Sequence, residues 1–261
     1  MTPIALAFTG TMFTFIATAL GAATIYFFKK DIPQNIQRAF LGFAAGVMIA
    51  ASVWSLLIPA MEMAAENGQN EWLPAAGGFV LGAVFLLLLD RVLPHLHPGC
   101  DEPEGMRCSF SRTTMLVLAV TLHNIPEGLA VGLAFGLAGE SSAISLSGAV
   151  ALSMGMALQN FPEGAAISLP LKKEGLNNNR SFLLGALSGV VEPIAGVTGV
   201  LIASSITGVM PWFLAFAAGA MIYVVVEELI PEAHLGEHSH IGTLSVMMGF
   251  LVMMVLDVAL A

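Results

Sequence analysis

Two hexapeptides in this 261-residue chain carry side chains that bind metal ions: His123-Asn124-Ile125-Pro126-Glu127-Gly128 and Gln159-Asn160-Phe161-Pro162-Glu163-Gly164. Each lies within a long apolar run, where polar and ionisable groups are costly to bury and therefore indicate a function. Imidazole, carboxylate and amide groups are ligands of divalent cations. On a helix, residues i and i+4 share a face, so each hexapeptide presents its first and fifth residues to one ion.

A second ion has candidate ligands beside the first. Asn124 and Asn160 are each turned by about 100° from the residue before them, and could reach an adjacent ion. Glu127 and Glu163 could then bridge the two ions. Glu192, which precedes a proline in another apolar run, supplies a third carboxylate. Three carboxylates in apolar runs require cations or protons to neutralise them.

The composition places these motifs in a membrane. The chain is 57% hydrophobic and 10% charged, with a mean hydropathy of +0.85. Its net charge of -9 argues against nucleic acid as a partner. Apolar runs long enough to cross a bilayer predict one all-α transmembrane domain over residues 1–261, with eight spans at about 4–28, 36–61, 73–93, 113–137, 143–171, 181–205, 211–231 and 241–260.

The basic residues predict the orientation of the spans. All nine Lys and Arg residues flank the first, third and fifth loops, and the second, fourth and sixth loops contain none. Because basic residues are retained on the cytoplasmic side, these three loops are expected in the cytoplasm and both termini outside it. The protein is therefore expected to be a multi-pass protein of the cell (inner) membrane.

The same basic residues predict depth. His123, Gln159 and Glu192 each lie 11 to 13 residues from a Lys or Arg at the cytoplasmic end of their spans. At about 1.5 Å per residue, this places all three about 16–20 Å from that end. A hydrocarbon core is about 30 Å thick, so the three groups are expected near its middle, where transporters bind their substrates.

The motifs resemble those of the ZIP (Zrt/Irt-like protein) transporters of divalent metals, and in particular their prokaryotic GufA-like branch. The resemblance covers essentially the whole chain and is carried by HNIPEGLAVG at 123–132, QNFPEGAAISLPL at 159–171 and SGVVEPIAG at 188–196. It implies two inverted three-helix repeats around spans four and five, a 3+2+3 bundle. It also implies a homodimer, and transport by movement of one helix bundle against another.

The resemblance further implies a two-metal transport site. One ion would be held by His123, Glu127, Gln159 and Glu163, and the other by Asn124, Glu127, Asn160, Glu163 and Glu192. Many members of the family have His where this chain has Gln159. The expected cargo is Zn²⁺. Because an amide oxygen is a neutral and harder ligand than imidazole, selectivity for Zn²⁺ is expected to be looser here, with Fe²⁺, Mn²⁺ or Cd²⁺ also carried. No resident cofactor is expected.

Several residues outside the motifs are secondary candidates. Entrance candidates are Glu62, which closes the second span, and Met48 within that span. The exit candidates at the end of the seventh span are Glu228, Glu232 and His234. The third loop, a variable cytoplasmic segment at 94–112, contains two candidate metal ligands, His95 and His97. Asp257, alone in the last span, is interpreted as a hydrogen-bonding residue between helices.

Two alternatives to a metal carrier remain open from the residues. A cation or proton channel would also use three buried carboxylates. An intramembrane metalloprotease would typically place His-Glu-x-x-His on a helix, whereas the order here is His-Asn-x-x-Glu and the second motif lacks His. The sequence therefore predicts a transporter of divalent metal ions into the cytoplasm and no enzyme activity.

Overall fold

A computed structural model describes residues 1–27, 33–92, 111–138, 142–205, 207–234 and 240–260. Helices account for most of these residues. We number the eight long helical segments in chain order: α1 Pro3–Tyr26, α2 Gln34–Glu66, α3 Trp72–Val92, α4 Arg112–Leu137, α5 Leu146–Lys173, α6 Asn178–Ala203, α7 Met210–His234 and α8 Ile241–Leu260. Of the predicted loop ligands, His95 and His97 lie outside the described residues.

Side chains at the helix starts explain where several helices begin. Thr2, Ser111, Ser145 and Asn177 each accept a hydrogen bond from a backbone N–H in the first turn of α1, α4, α5 and α6. The cap at Ser145 accepts from Gly148 N at 2.8 Å. Such caps satisfy donors that a helix leaves free at its N-terminus, which matters most where little water is available.

Seven of the eight helices are long and apolar enough to cross a membrane. The remaining one, α5, is long enough at 28 residues, but Gln159, Asn160 and Glu163 near its middle lower its hydropathy. Large apolar side chains of α3 and α8, such as Leu88 and Met247, are exposed. These outward faces suit contact with lipid.

The helices pack as four close pairs, α1 with α5, α4 with α6, α2 with α8, and α3 with α7. The first two pairs also contact each other extensively and form the 1-4-5-6 bundle. The other two pairs are joined by contacts between α2 and α7, and form the 2-3-7-8 bundle. The two bundles meet mainly where α2 packs on α5 and α4 packs on α7.

Glycines set the distance between paired helices. A Cβ at Gly46 of α2 would lie 1.9 Å from the Val246 carbonyl oxygen of α8, and one at Gly219 of α7 would lie 2.0 Å from that of Phe79 in α3. The reverse contacts are also made, by Gly249 with Phe43 O and by Gly82 with Phe216 O. Only glycine permits backbones this close, as is common between helices in lipid.

These reciprocal contacts reveal an internal repeat. Exchanging α1–α3 with α6–α8, and α4 with α5, converts each close pair into another close pair. Both α2 and α7 also contain a π-helical segment, Ser52–Leu57 and Val225–Leu229, followed by Ile-Pro. Successive helices alternate in direction. Because the exchange always pairs an odd-numbered helix with an even-numbered one, the two halves run in opposite directions. The fold is the expected 3+2+3 inverted-repeat bundle.

The glycine contacts predict matched stability losses in the two halves. Gly46→Ala and Gly219→Ala should each lower the unfolding temperature, because overpacking a close contact costs about 1–3 kcal/mol. Gly208→Ala is the control, since a Cβ at that position meets no atom within 4 Å. Thermal unfolding of the purified variants in detergent measures the effect. Unfolding temperatures equal to that of the Gly208 variant would contradict the close approach.

Candidate metal centre

All seven residues of the predicted metal site are buried in the 1-4-5-6 bundle. α4 supplies His123, Asn124 and Glu127, α5 supplies Gln159, Asn160 and Glu163, and α6 supplies Glu192. Each is at most 6% exposed. Polar side chains this far from solvent need partners, so their contacts reveal how the cluster is organised.

The two Pro-Glu-Gly segments bring neighbouring backbones to the cluster. Pro126 and Pro162 lie inside continuous helices. Directly after the carboxylates, a Cβ at Gly128 would lie 2.5 Å from the Glu192 carbonyl oxygen, and one at Gly164 would lie 2.0 Å from that of Thr18. The glycines therefore let the backbone of α6 pack closely against α4 beside Glu127, and the backbone of α1 pack closely against α5 beside Glu163.

α6 is interrupted where it reaches the cluster. Its first part, Asn178–Ser188, ends one turn before Glu192, and its second part, Val191–Ala203, begins beside it. The break leaves the Ser188 carbonyl oxygen to accept a hydrogen bond from Asn124 Nδ2 at 3.1 Å. Interrupted helices are a usual feature of ion sites in transporters, because they expose backbone oxygens at mid-membrane depth.

Hydrogen bonds connect the three helices across the cluster. Gln159 Nε2 donates to Glu127 Oε2 at 2.5 Å and to Asn160 Oδ1 at 2.5 Å. Asn160 Nδ2 donates in turn to Glu192 Oε2 at 2.8 Å. The amides of α5 thus link the carboxylate of α4 to that of α6, and the two sets of predicted ligands lie side by side.

Four oxygen atoms of the cluster are buried without a hydrogen-bond partner: Asn124 Oδ1, Glu127 Oε1, Gln159 Oε1 and Glu163 Oε2. Leaving such an acceptor unsatisfied costs about 1–3 kcal/mol, and more for a charged group. Within the described ranges, no three His, Cys, Asp or Glu side chains converge closely enough to hold an ion by themselves. A cation bound here would therefore need the amide oxygens as ligands as well as the carboxylates.

Glu228 of α7 also contacts the cluster. His123 Nε2 lies 2.7 Å from Glu228 Oε1, and this contact crosses from the 1-4-5-6 bundle to the 2-3-7-8 bundle. Glu228 follows Glu227 in the π-helical segment of α7. A cavity of about 40 Å³, which we call the His123 cavity, is lined by His123, Glu163, Glu228, Glu232 and apolar side chains.

The other secondary candidates lie away from this cavity. His234 contacts Ile230 O at 2.9 Å through Nδ1 and Thr243 Oγ1 at 3.1 Å through Nε2, so both ring nitrogens connect α7 to itself and to α8. Met48 is fully buried in the apolar core of α2. Glu62 is exposed near the end of α2. None of these three residues lines the His123 cavity.

Sequence reasoning missed the contribution of α1. Thr18 Oγ1 lies 3.3 Å from Glu192 Oε1, and the Thr14 carbonyl oxygen accepts a hydrogen bond from Asn160 Nδ2 at 3.4 Å. Thr11, Thr14 and Thr18 are spaced along one face of an apolar helix and are at most 1% exposed. This helical spacing of hydroxyl residues was the signal in the sequence.

A second cavity lies beside the C-terminal halves of α2 and α8. It measures about 230 Å³ and is lined by Ser55, Gly148, Asp257 and neighbouring side chains, and we call it the Asp257 cavity. Ser55 Oγ donates to Asp257 Oδ1 at 2.6 Å, which joins α2 to α8. Asp257 Oδ2 is buried without a hydrogen-bond partner. Asp257 thus links two helices, as its isolated position indicated, and also faces a cavity.

Comparison with known proteins decides the family. A family model described as ZIP zinc transporter matches residues 100–257. The chain belongs to the ZIP family. It is 38% identical to zinc transporter ZIP11 of Bos taurus over 99% of this chain and 98% of the relative. It is also 38% identical to zinc transporter GufA of Myxococcus xanthus over 94% of both chains, and 38% identical to zinc transporter ZIPB of Bordetella bronchiseptica over 94% of this chain and 78% of the relative.

Membership of the ZIP family confirms three predictions. The chain is a membrane transporter of divalent metal ions, and zinc is cargo rather than a cofactor. The GufA-like resemblance is confirmed by the GufA and ZIPB relatives. Because ZIP proteins are transporters, the metalloprotease hypothesis is discarded.

The unpartnered oxygens predict that metal binding stabilises the fold. Zn²⁺ at 100 times its Kd should raise the free energy of unfolding by about 2.7 kcal/mol, because only the folded state holds the ligands together. Glu127→Gln and Glu163→Gln should lose most of this gain. Glu62→Gln, at an exposed site, should keep it. Zn²⁺-dependent thermal unfolding provides the measurement, and an undiminished gain in both cluster variants would contradict this donor set.

Proposed function

We propose that this protein takes divalent metal ions, chiefly Zn²⁺, into the cytoplasm through a two-metal site near the middle of the membrane. The observation that carries the proposal is the buried cluster of unpartnered carboxylate and amide oxygens on α4 and α5. One ion is held by His123, Glu127, Gln159 and Glu163. The other is held by Asn124, Glu127, Asn160, Glu163 and Glu192.

The contacts within the cluster support this division. Glu127 and Gln159 are already within hydrogen-bond distance across α4 and α5, as the first ion requires. Asn160 and Glu192 are in contact across α5 and α6, as the second requires. A bound cation would take the place of the amide N–H groups at the Glu127 and Glu192 oxygens, which would then donate their lone pairs to the cation. Its charge would also balance carboxylates that repel one another in an apolar interior.

The His123 cavity is the proposed release path. It begins at His123 and Glu163 in the cluster and extends to Glu232, near the end of α7. In the orientation expected from the basic residues of the first, third and fifth loops, this end of α7 faces the cytoplasm. Glu228 and Glu232 would draw the ion away from the cluster by offering carboxylates along the path. With this orientation both termini lie outside the cytoplasm, in a multi-pass cell membrane protein.

The Asp257 cavity is the proposed approach from the other side. It lies near the start of α5, where Gly148 lines it, and near the end of α8. These helix ends are non-cytoplasmic in the proposed orientation. The unpartnered Asp257 Oδ2 would attract a cation there. The His123 cavity reaches the cluster, and the Asp257 cavity shares none of its lining residues. In the proposed orientation this supports a cytoplasm-facing state.

The division into two bundles supports a carrier mechanism. Every proposed ligand of both ions lies in the 1-4-5-6 bundle, so this bundle could move with its ions in place. The close glycine contacts described above lie within bundles, and keep each one rigid. Movement would break the contact of His123 with Glu228, which crosses between bundles. Homodimer formation is part of the proposal through the family resemblance alone.

The proposed site predicts which side chains transport requires. Glu127→Ala and Glu163→Ala should each reduce metal uptake at least about 100-fold, because each removes a ligand shared by both ions. Glu71→Ala, at an exposed position just before α3, should retain the parent rate. Uptake into liposomes containing a metal-sensitive dye measures the effect. Parent-like uptake by both cluster variants would contradict the site, and currents far above carrier rates would favour the channel alternative.

Gln159 predicts the selectivity of the first site. Replacing its amide by imidazole in Gln159→His should raise the ratio of Zn²⁺ to Mn²⁺ uptake about tenfold, because imidazole suits Zn²⁺ and oxygen ligands suit Mn²⁺. Competition between the two metals in the same liposomes gives the ratio. Thr198→Ser, at an exposed site in α6, is a control outside the cluster. An unchanged ratio in Gln159→His would mean that Gln159 does not set selectivity.

A further inference from the structure

Two methionines lie between the Asp257 cavity and the metal centre. Met156 precedes Gln159 by about one turn of α5, and Met253 precedes Asp257 by about one turn of α8. Both side chains are fully buried. Neither takes part in the two-metal site proposed above, and each belongs to a different bundle.

The Met156 sulfur is next to the ligand set. Its Sδ lies 3.9 Å from Gln159 Nε2, the atom that donates to Glu127 Oε2 at 2.5 Å. A sulfur this close to the amide contacts the same space that an ion bound by Glu127 and Gln159 would enter. Met side chains have three rotatable bonds, so a small rotation changes where the sulfur points.

The Met253 sulfur reaches the same part of α5 from the other bundle. A Cβ at Gly155 would lie 2.0 Å from Met253 Sδ and 2.9 Å from its Cε, so the missing side chain of Gly155 leaves the space that Met253 fills. Gly155 and Gln159 share one face of α5 because they are four residues apart. The two sulfurs therefore flank successive turns of α5.

These contacts follow the order of a path. Gly148 of α5 lines the Asp257 cavity, Gly155 and Met156 come next along the helix, and Gln159 begins the metal centre. The distance along α5 from Gly148 to Gln159 is about 16 Å at 1.5 Å per residue. An ion that moves along this face of α5 from the Asp257 cavity to Gln159 would pass the two methionines.

We propose that Met156 and Met253 form a thioether step through which the incoming ion passes, and that this step favours soft cations such as Cd²⁺ over hard ones such as Mn²⁺. Thioethers are neutral, polarisable donors that bind soft metals. Their weak binding suits a transit step, because an ion that is held too tightly cannot move on. The proposal rests on the proposed function, since it assigns the methionines to the path into that site.

The test compares Met156→Leu, Met253→Leu and the double variant with Met210→Leu. Leucine conserves volume and apolar character and removes only the sulfur. Met210 is fully buried at the start of α7 and lines neither cavity, so it is a matched control. Uptake of Cd²⁺ and Mn²⁺ in competition is measured in liposomes, together with KM and kcat for each metal. Monodisperse elution and thermal unfolding verify folding of each variant.

The double variant should lower the ratio of Cd²⁺ to Mn²⁺ uptake about fivefold, through a higher KM for Cd²⁺ and an unchanged KM for Mn²⁺. Each single variant should show part of this change, and Met210→Leu none. An unchanged ratio, or an equal loss of both metals, would overturn the thioether step.

Uptake by Glu127→Ala is measured in parallel as a separate test of the proposed function. If Glu127→Ala abolishes uptake and the double variant leaves the ratio of Cd²⁺ to Mn²⁺ unchanged, the thioether step fails and the proposed function stands. Parent-like uptake by Glu127→Ala would instead overturn the proposed function.

Discussion

The structure depends on keeping carboxylates in an apolar interior. Glu127, Glu163 and Glu192 are buried together, and transferring an isolated carboxylate from water into such an interior costs several kcal/mol even after relaxation. The amides of Gln159 and Asn160 offset part of this cost by donating to two of the three. Glu127 Oε1 and Glu163 Oε2 are left without a hydrogen-bond partner. In the proposed site the cargo would supply the charge that balances these carboxylates, so the energy that opposes an empty site would draw metal into it.

The same requirement explains the close packing around the cluster. Ligands from three helices can meet at one ion only if the helix axes are near each other, so glycine follows both hexapeptide carboxylates. Gly128 admits the interrupted helix α6, and Gly164 admits α1 with its threonines. The second bundle uses glycine in the same way to hold α2 against α8 and α3 against α7. Close pairs joined by fewer contacts between bundles would let the proposed carrier change state without dismantling its metal centre.

Much of this arrangement could be predicted from the sequence. Counting residues from the Lys and Arg anchors placed His123, Gln159 and Glu192 at one depth, and the structure brings these segments into contact. The contact of His123 with Glu228 was not predicted, since α7 has no basic residue to fix its depth and a π-helical segment shifts its register. The break in α6 also lacked a signal, because Gly189 and Val190 are ordinary within a membrane helix.

The inverted repeat was expected only from family resemblance, because its sequence traces are short and far apart. Gly82 and Asp90 of α3 have the spacing of Gly249 and Asp257 of α8, and in both α2 and α7 the π-helical segment ends in the Leu of a Leu-Ile-Pro sequence. Such traces acquire meaning only when the helix pairs are known. Packing partners are a property of tertiary structure, and hydropathy and charge do not specify them.

The repeat is symmetric in backbone and asymmetric in chemistry at one pair of positions. Aligning the Leu-Ile-Pro segments of α2 and α7 makes Leu56 the counterpart of Glu228, and the exchange of α4 with α5 makes Gln159 the counterpart of His123. If the two halves swap conformations to face the opposite side of the membrane, the contact of His123 with Glu228 has only an amide beside a leucine as its mirror image. The two end states then differ in energy even with no metal bound. An empty carrier of this kind would favour the conformation in which His123 contacts Glu228, and this bias would have to be overcome each time the carrier returns without cargo.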